Sequence, residues 1–214
     1  MIDTTITIGN VAIHEPVTVL TDCIITAFCF YFYIQLRKLN KDIVIDNWSI
    51  FFGLLGISTL FGAASHGVFL IHEGVGYKTI WLPMQVINGI AIYFAQQATI
   101  NSVLKNSKHI NRWKKSYLIQ FVIFVIALMI FQKYLVTIIE NFIGLLPIMI
   151  LHLKAKDNYN KKIGYGFLVS FLTATVSISK FTLHAYFNYN DLAHVLIMIS
   201  IFIIYIGIKS KVIS

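Results

Sequence analysis

The sequence predicts an all-α integral membrane protein, a bundle of seven transmembrane helices forming one domain over residues 1–214. Three observations predict it. The chain is 57% hydrophobic and 12% charged, about half the charged fraction of an ordinary soluble domain. Apolar segments of about 20 residues, the length needed to cross a hydrocarbon core of ~30 Å, recur between short polar breaks. Fourteen of the 17 Lys and Arg fall at alternate breaks, which is how basic residues retained in the cytoplasm distribute themselves.

The spans are expected at 16–37, 47–70, 79–104, 114–132, 134–153, 163–186 and 190–208. Pro16 suits the first turn of the first helix, where a missing N–H costs nothing. The fourth and fifth spans are separated only by Gln132 and Lys133, the weakest break in the chain. Arg37, Lys38 and Lys41 follow span one; Lys105, Lys108, Arg112, Lys114 and Lys115 follow span three; Lys154, Lys156, Lys161 and Lys162 follow span five; Lys209 and Lys211 follow span seven. Lys78 and Lys133 lie on the opposite side and Lys180 inside a span, so the amino terminus is placed outside and the carboxyl terminus in the cytoplasm, in a bacterial inner membrane.

The net charge of +8 is therefore a topology signal and needs no nucleic-acid partner. Its clusters also suit anionic lipid. Cys23 and Cys29 stand six residues apart, on different faces of one helix, and cannot pair with each other. The first fifteen residues lack the basic and apolar regions of a cleavable signal, so the first span is expected to remain as a helix. Short loops leave chemistry only among the helices or at their mouths.

The polar residues inside the spans share one end. Asp22, His66, Gln85, Asn88, Glu140, Lys180, His184, Asp191 and His194 all fall in the outer half, and charge placed in hydrocarbon is costly enough to mark a site or a buried pair. Thr173, Ser177, Lys180 and His184 follow i, i+4, i+7, i+11 spacing and are expected to make one polar stripe on helix six. Asp22, Thr26, Cys29 and Tyr33 make a similar stripe on helix one, and Gly53, Gly56, Gly62, Ala63 and Gly67 permit close approach along helix two.

Three histidines at a common depth fit a tetrahedral zinc site in which His66, His184 and His194 are ligands and water takes the fourth position. Asp22, Asp191 or Glu140 would take up protons or orient a histidine, and Lys180 would neutralise an oxyanion or a lipid phosphate. Structural readings stand beside these. Asp22 and Lys180 suit an interhelical ion pair, Asn190 and Asp191 a cap on helix seven, and Glu140 a partner for Lys133. His14, His72, His109 and His152 read as structural, and Tyr186, Phe187 and Tyr189 as an interfacial aromatic belt. A retinal-type Schiff base is excluded on helix seven, which has no lysine before Lys209. An ion pathway through Asp22, Glu140 and Lys180 lacks matching charges in the inner half.

The strings "GAASHGVF" around His66 and "NDLAHVL" around His194 resemble the helix-two and helix-seven motifs of the seven-helix membrane hydrolases that include alkaline ceramidases and progestin/adiponectin-type receptors. Phe187, Asn188, Asn190, Asp191 and His194 match an "FN-x-ND-x-x-H" string of bacterial proteins similar to that group. The resemblance implies zinc-dependent hydrolysis of an amide or ester of a membrane lipid at the outer leaflet. The chain departs from the pattern at Gly62, where the family has serine; at helix three, where Gln85 and Asn88 stand in place of an aspartate; and at Asn190, where the family has the first histidine of a pair. Those departures motivate the alternative of a non-catalytic sensor, receptor or partner subunit that uses the same pocket, as a homo-oligomer or with another membrane protein.

Overall fold

The computed structural model describes all residues apart from 1–3, 40–41, 70–74, 106, 185 and 214. Lys41, Leu70 and His72 therefore lie outside the described residues. An antiparallel hairpin, β1 (Ile6–Ile8) and β2 (Val11–Ile13), precedes seven α-helices among the described residues: α1 (Pro16–Arg37), α2 (Ile43–Ala64), α3 (Val75–Val103), α4 (Ile110–Phe131), α5 (Tyr134–Lys154), α6 (Asn158–Ser179) and α7 (Tyr189–Ile213). The chain is all-α apart from that hairpin. Six of its helices are long and apolar enough to cross a membrane, which makes it a multi-pass membrane protein by length and composition.

The helix outside that six is α3, which carries Gln85, Asn88, Gln96, Gln97 and Asn101. These residues make it the polar spine of the bundle. Ala91, Ala95 and Ala98 are fully buried on it, and two of its amides pair across helices: Asn88 Nδ2 donates to Asn141 Oδ1 (3.0 Å) and Gln96 Nε2 to Gln120 Oε1 (3.2 Å). Polar groups in an apolar bundle are tolerated when they are paired across helices.

The helices form a ring in the order α1, α2, α3, α5, α6, α7, closed by α1 against α7, with α4 packed outside on α3 and α5. The apolar side chains that remain exposed, such as Ile123 and Ile130 on α4, Phe142 on α5 and Ile178 on α6, lie on the outer faces of the bundle, as lipid-facing residues do. The main apolar core joins α1, α2, α6 and α7: Phe32 stacks on Tyr205 (4.2 Å between centroids) and meets Phe52 edge-on, while Trp48 and Phe51 rest on Phe167.

Short connections at the basic end carry ion pairs between Arg37 and Asp46 (2.8 Å) and between Lys211 and Asp42 (3.0 Å). Burial opposes the Asp42 charge, but the Lys211 ammonium and the Val44 N–H outweigh it and hold this carboxyl below its ordinary range. At the opposite, hairpin end α4 stops at Gln132, in left-handed conformation (φ 47°), and α5 starts after Lys133. The weak sequence break is thus a full reversal.

Helix six is shorter than its pattern predicts. Lys180 adopts a left-handed conformation (φ 50°) that closes α6 at Ser179, so the stripe through Thr173, Ser177, Lys180 and His184 does not continue as one helical face. The sequence around 180–187 lacks the long apolar run a further turn would need, and turns instead through paired backbone bonds between His184 and Phe187.

Helices α6 and α7 approach most closely at glycines. A Cβ added to Gly166 would lie 2.4 Å from Ile204 Cγ1 and 2.9 Å from the Ser200 carbonyl, and the Ser200 hydroxyl donates to the Gly166 carbonyl (2.8 Å). Backbone cannot yield as a side-chain tip can. Gly166→Leu is therefore expected to cost about 1–3 kcal/mol of stability through overpacking, read as a lower melting temperature of the detergent-solubilised protein, whereas Gly9→Ala in the hairpin turn leaves that α6–α7 contact intact.

Candidate functional site

The candidate site lies at the hairpin end, where α1, the end of α2 and the start of α7 meet. Each element presents its group through a local feature of the sequence. Helix α2 passes at Ser65–Phe69 into a single π-helical turn that carries His66. Such turns rotate side chains out of helical register and are frequent at functional sites.

Glu15 precedes Pro16 and adopts a left-handed conformation (φ 44°, ψ 56°), a strained arrangement for a residue with a side chain. It does not cap α1 with its carboxylate; Oε2 instead accepts from His66 Nδ1 at 2.7 Å. The hairpin secures this geometry. Gly9, at φ 62°, turns β1 back on β2, the His14 N–H donates to the Gly67 carbonyl (3.0 Å), and Thr5 Oγ1 contacts His14 Nδ1 (2.8 Å).

Asp22 and His194 face each other below. Asp22 is 3% exposed, and its Oδ1 lies 3.5 Å from His194 Nε2. Its Oδ2 has no hydrogen-bond partner among the described residues. Gly62 gives it room: a Cβ there would lie 3.0 Å from Asp22 Oδ2. His194 Nδ1 contacts Thr21 Oγ1 (2.8 Å), and the Thr21 hydroxyl also reaches the Thr18 carbonyl (2.9 Å). With the hydroxyl proton on that carbonyl, Nδ1–H is the donor to Thr21. The His66 and His194 rings stand 6.4 Å apart between centroids, nearly perpendicular.

Asp191 is buried beside them with both oxygens engaged, Oδ1 by the Thr18 hydroxyl (2.8 Å) and Oδ2 by the Asn188 N–H (2.7 Å). Asn188 Oδ1 in turn accepts from the Asn190 and Asp191 N–H groups. This is a reciprocal cap on α7, and it ties α7 to α1. The cap residue is Asn188, not Asn190.

The structure therefore brings together Asp22, His66, Asp191 and His194, and it adds Glu15, Thr18 and Thr21. It leaves His184 and Lys180 outside. His184 is exposed on the α6–α7 turn, stacked on Tyr186 (5.8 Å) with Nδ1 accepting from the Tyr186 N–H (3.2 Å). Lys180 is exposed at the end of α6, so an ion pair with buried Asp22 does not form. Both assignments assumed that α6 continues to residue 186. Glu140 lies elsewhere, accepting from Gln120 Nε2 (3.1 Å) on α4. Glu15 was missed because a carboxylate before proline reads as a helix entry; the hairpin string "ITIGNVAI" was the available signal that this segment is built, not loose.

The donor set has features expected of a metal centre. Among the described residues no three His, Cys, Asp or Glu side chains stand close enough, as placed, to enclose an ion. Yet each imidazole is tied at Nδ1, His66 by a carboxylate and His194 by a hydroxyl, which leaves both Nε2 atoms for a ligand; that is the usual outer-shell arrangement of metal-binding histidines. The 3.5 Å between His194 Nε2 and Asp22 Oδ1 is long for a hydrogen bond, and two donors at tetrahedral angles on zinc stand roughly 3.3 Å apart. Asp22 Oδ2, without a hydrogen-bond partner among the described residues, is a further oxygen open to a ligand. His66, His194 and Asp22 thus fit a divalent cation in donor chemistry; His184 does not contribute.

Thr21→Val is expected to strip His194 Nδ1 of its partner and to cost about 1–3 kcal/mol, measurable as a lower melting temperature, with Thr18→Val giving a loss of similar size through Asp191. Ser179→Ala, at an exposed helix end, serves as the neutral reference.

No curated protein and no solved structure matches the chain. A family model matches residues 17–212, nearly the whole length, and on that match the chain belongs to the family of unknown function DUF6962.

Proposed function

We propose that the chain is a metal-dependent membrane hydrolase acting on an amide or ester bond of a membrane lipid, with its site at the hairpin end. The observation that carries this reading is the pair of imidazoles His66 and His194, each held at Nδ1 so that Nε2 is left for a ligand, with the carboxylate of Asp22 alongside His194. In this reading all seven helices span a bacterial cytoplasmic membrane, the amino terminus and the site lie outside, and the basic end faces the cytoplasm. The partial likeness to ceramidase-type and progestin/adiponectin-receptor-type proteins at His66 and His194 supports the same reaction class.

His66, His194 and Asp22 would hold the ion, which would supply Lewis-acid activation for hydrolysis. Glu15 and Thr21 fix the two rings. The free oxygen of Asp22 accepts the proton released as water attacks, and His66, whose Nδ1–H is shared with Glu15, stabilises positive charge as that proton moves. Asp191 positions α7 through Asn188 and Thr18 and does not exchange protons with substrate.

One observation favours a second reading, a binding module without turnover. The cleft beside the site, lined by Glu15, Thr18, Tyr186, Asn188 and Asp191 among others, has a cavity volume of about 10 Å³, far below the ~300–1,000 Å³ of typical small-molecule pockets. A cleft of that size takes a water or a bare cation, so lipid turnover requires the hairpin to lift.

Elemental analysis of detergent-purified protein separates the outcomes. Wild type and His184→Ala are expected to carry one divalent metal, retained after exchange into chelator-free buffer, while His66→Ala, His194→Ala and Asp22→Asn lose it. Hydrolysis of fluorogenic lipid amides or esters then follows metal content. Equal metal content in all variants rejects the site; metal without turnover across the lipid panel selects the binding module.

A further inference from the structure

The basic residues of the hairpin end are Lys78, Lys133 and Lys180, and the fold brings two of them level on neighbouring helices. Helices α5 and α6 pack side by side and are joined at the basic end by residues 155–157, so the start of α5 and the end of α6 lie together at the hairpin end. Phe142 of α5 meets Phe171 of α6 edge-on, 5.7 Å between ring centroids, which sets the register of the pair. Lys133 precedes Phe142 by nine residues and Lys180 follows Phe171 by nine. The two lysines therefore stand at about the same height, one on each side of the mouth of the α5–α6 seam.

Each lysine is fixed there by a local feature of the backbone. Lys133 is extended (φ −120°, ψ 139°) and starts α5 directly after the left-handed Gln132 has ended α4, while Lys180 is itself the left-handed residue that closes α6. Both are exposed, and neither belongs to an ion pair among the described residues. Glu140, the acid nearest Lys133 in sequence, is turned to Gln120 instead, and Glu15, Asp22 and Asp191 lie among α1, α2 and α7. Two ammonium groups held level across one seam repel each other unless an anion lies between them.

The surface around the two lysines is apolar. Phe131 and Leu135 on one side and Ile178, Phe181 and Leu183 on the other are each more than half exposed, which puts the lysines at the edge of the hydrocarbon, where a long side chain carries its ammonium up to headgroup level. Below the mouth the seam continues as an apolar strip, with Ile139 and Phe142 of α5 and Leu172 of α6 exposed along it. Such a strip accepts any lipid chain, because dispersion contacts discriminate little. Selection comes from the charge at its top. The anion available at that height in a bilayer is the lipid phosphate, and two lysines without a carboxylate favour a headgroup whose net charge is negative over a zwitterionic one.

We infer that the hairpin-end mouth of the α5–α6 seam is a docking site for an anionic phospholipid, whose phosphate lies between Lys133 and Lys180 and one of whose acyl chains runs down past Ile139, Phe142 and Leu172. The lipid phosphate that the sequence leads one to expect beside Lys180 is thus met on the lipid-facing surface and not in the cluster around His66. Lys78 stands outside the site, on α3 at the other flank of α5. The site requires only that the bundle is embedded in a bilayer. It does not depend on the hydrolase reading, whose residues lie on the hairpin, α1, α2 and α7.

The test is quenching of a tryptophan introduced as Phe142→Trp, on the exposed side of the seam and about 13 Å along α5 from Lys133, by lipids brominated midway along their acyl chains. The protein is reconstituted into phosphatidylcholine vesicles containing a rising fraction of brominated phosphatidylglycerol or of brominated phosphatidylcholine, and the emission of the protein that keeps Phe142 is subtracted. Half-quenching is expected at an at least about fivefold lower fraction of the phosphatidylglycerol, the preference that a single lysine at an anionic lipid surface supplies. Lys133→Gln and Lys180→Asn, the latter a side chain that tolerates the left-handed backbone, each reduce that preference and together abolish it, whereas Lys78→Gln leaves it intact. Equal quenching by the two lipids, a preference that survives either seam substitution unchanged, or one that Lys78→Gln removes overturns the proposal.

Discussion

The structure depends on one constraint, that a polar group placed among apolar helices must find its partner on another helix or lose several kcal/mol. The buried polar residues that are paired across elements act as ties whose positions fix the helices. Thr18 and Asp191 bind α1 to α7; Glu15 and His66 bind the hairpin to the end of α2; Asn88 and Asn141, and Gln96 with Gln120 and Glu140, hold α3, α4 and α5 together; His152 joins α3, α5 and the start of α6. The apolar faces that remain give the bundle its lipid-exposed surface but little specificity, because dispersion contacts with lipid and with another helix differ little. Register and helix order are set by the polar pairs and by the glycines that let backbones approach.

The hairpin-end site follows from that arrangement. Two adaptations of the backbone converge on His66, the π-helical turn that carries it and the strained Glu15 that holds it. Strain of this kind persists only where surrounding contacts over-determine it, and the bond to Gly67 and the hairpin supply those contacts. Opposite, Gly62, having no side chain, leaves room for the open oxygen of Asp22.

Much of this was legible in the sequence and some was not, for physical reasons. Apolar runs of membrane-spanning length and alternating basic breaks mark the helices, and the gathering of Asp22, His66, Asp191 and His194 follows from their common depth. Depth does not say where a helix stops. Lys180 and His184 obey helical spacing, yet a left-handed residue ends α6 before them, and a single backbone torsion at a lysine leaves no trace in an apolar periodicity. Spacing also hides the role of α3: that Asn88 and Gln96 tie it to α5 and α4 is visible only in tertiary contact. Glu15 was invisible because its partner lies on another element, and His152 read as a helix-end residue because Thr99 and Asn160 belong to other helices.

The central claim is that both imidazoles of the hairpin-end site are held at Nδ1 and leave Nε2 free for a ligand, with His194 Nε2 beside Asp22. Nitrogen-15 spectra of imidazole-labelled protein in lipid bilayers, recorded with and without added zinc and assigned by His66 and His194 substitutions, test it most directly. The account predicts protonated Nδ1 and bare Nε2 at both residues, with the Nε2 resonances alone shifting on metal addition. Protons on Nε2 at both rings, or spectra unmoved by zinc, would contradict it.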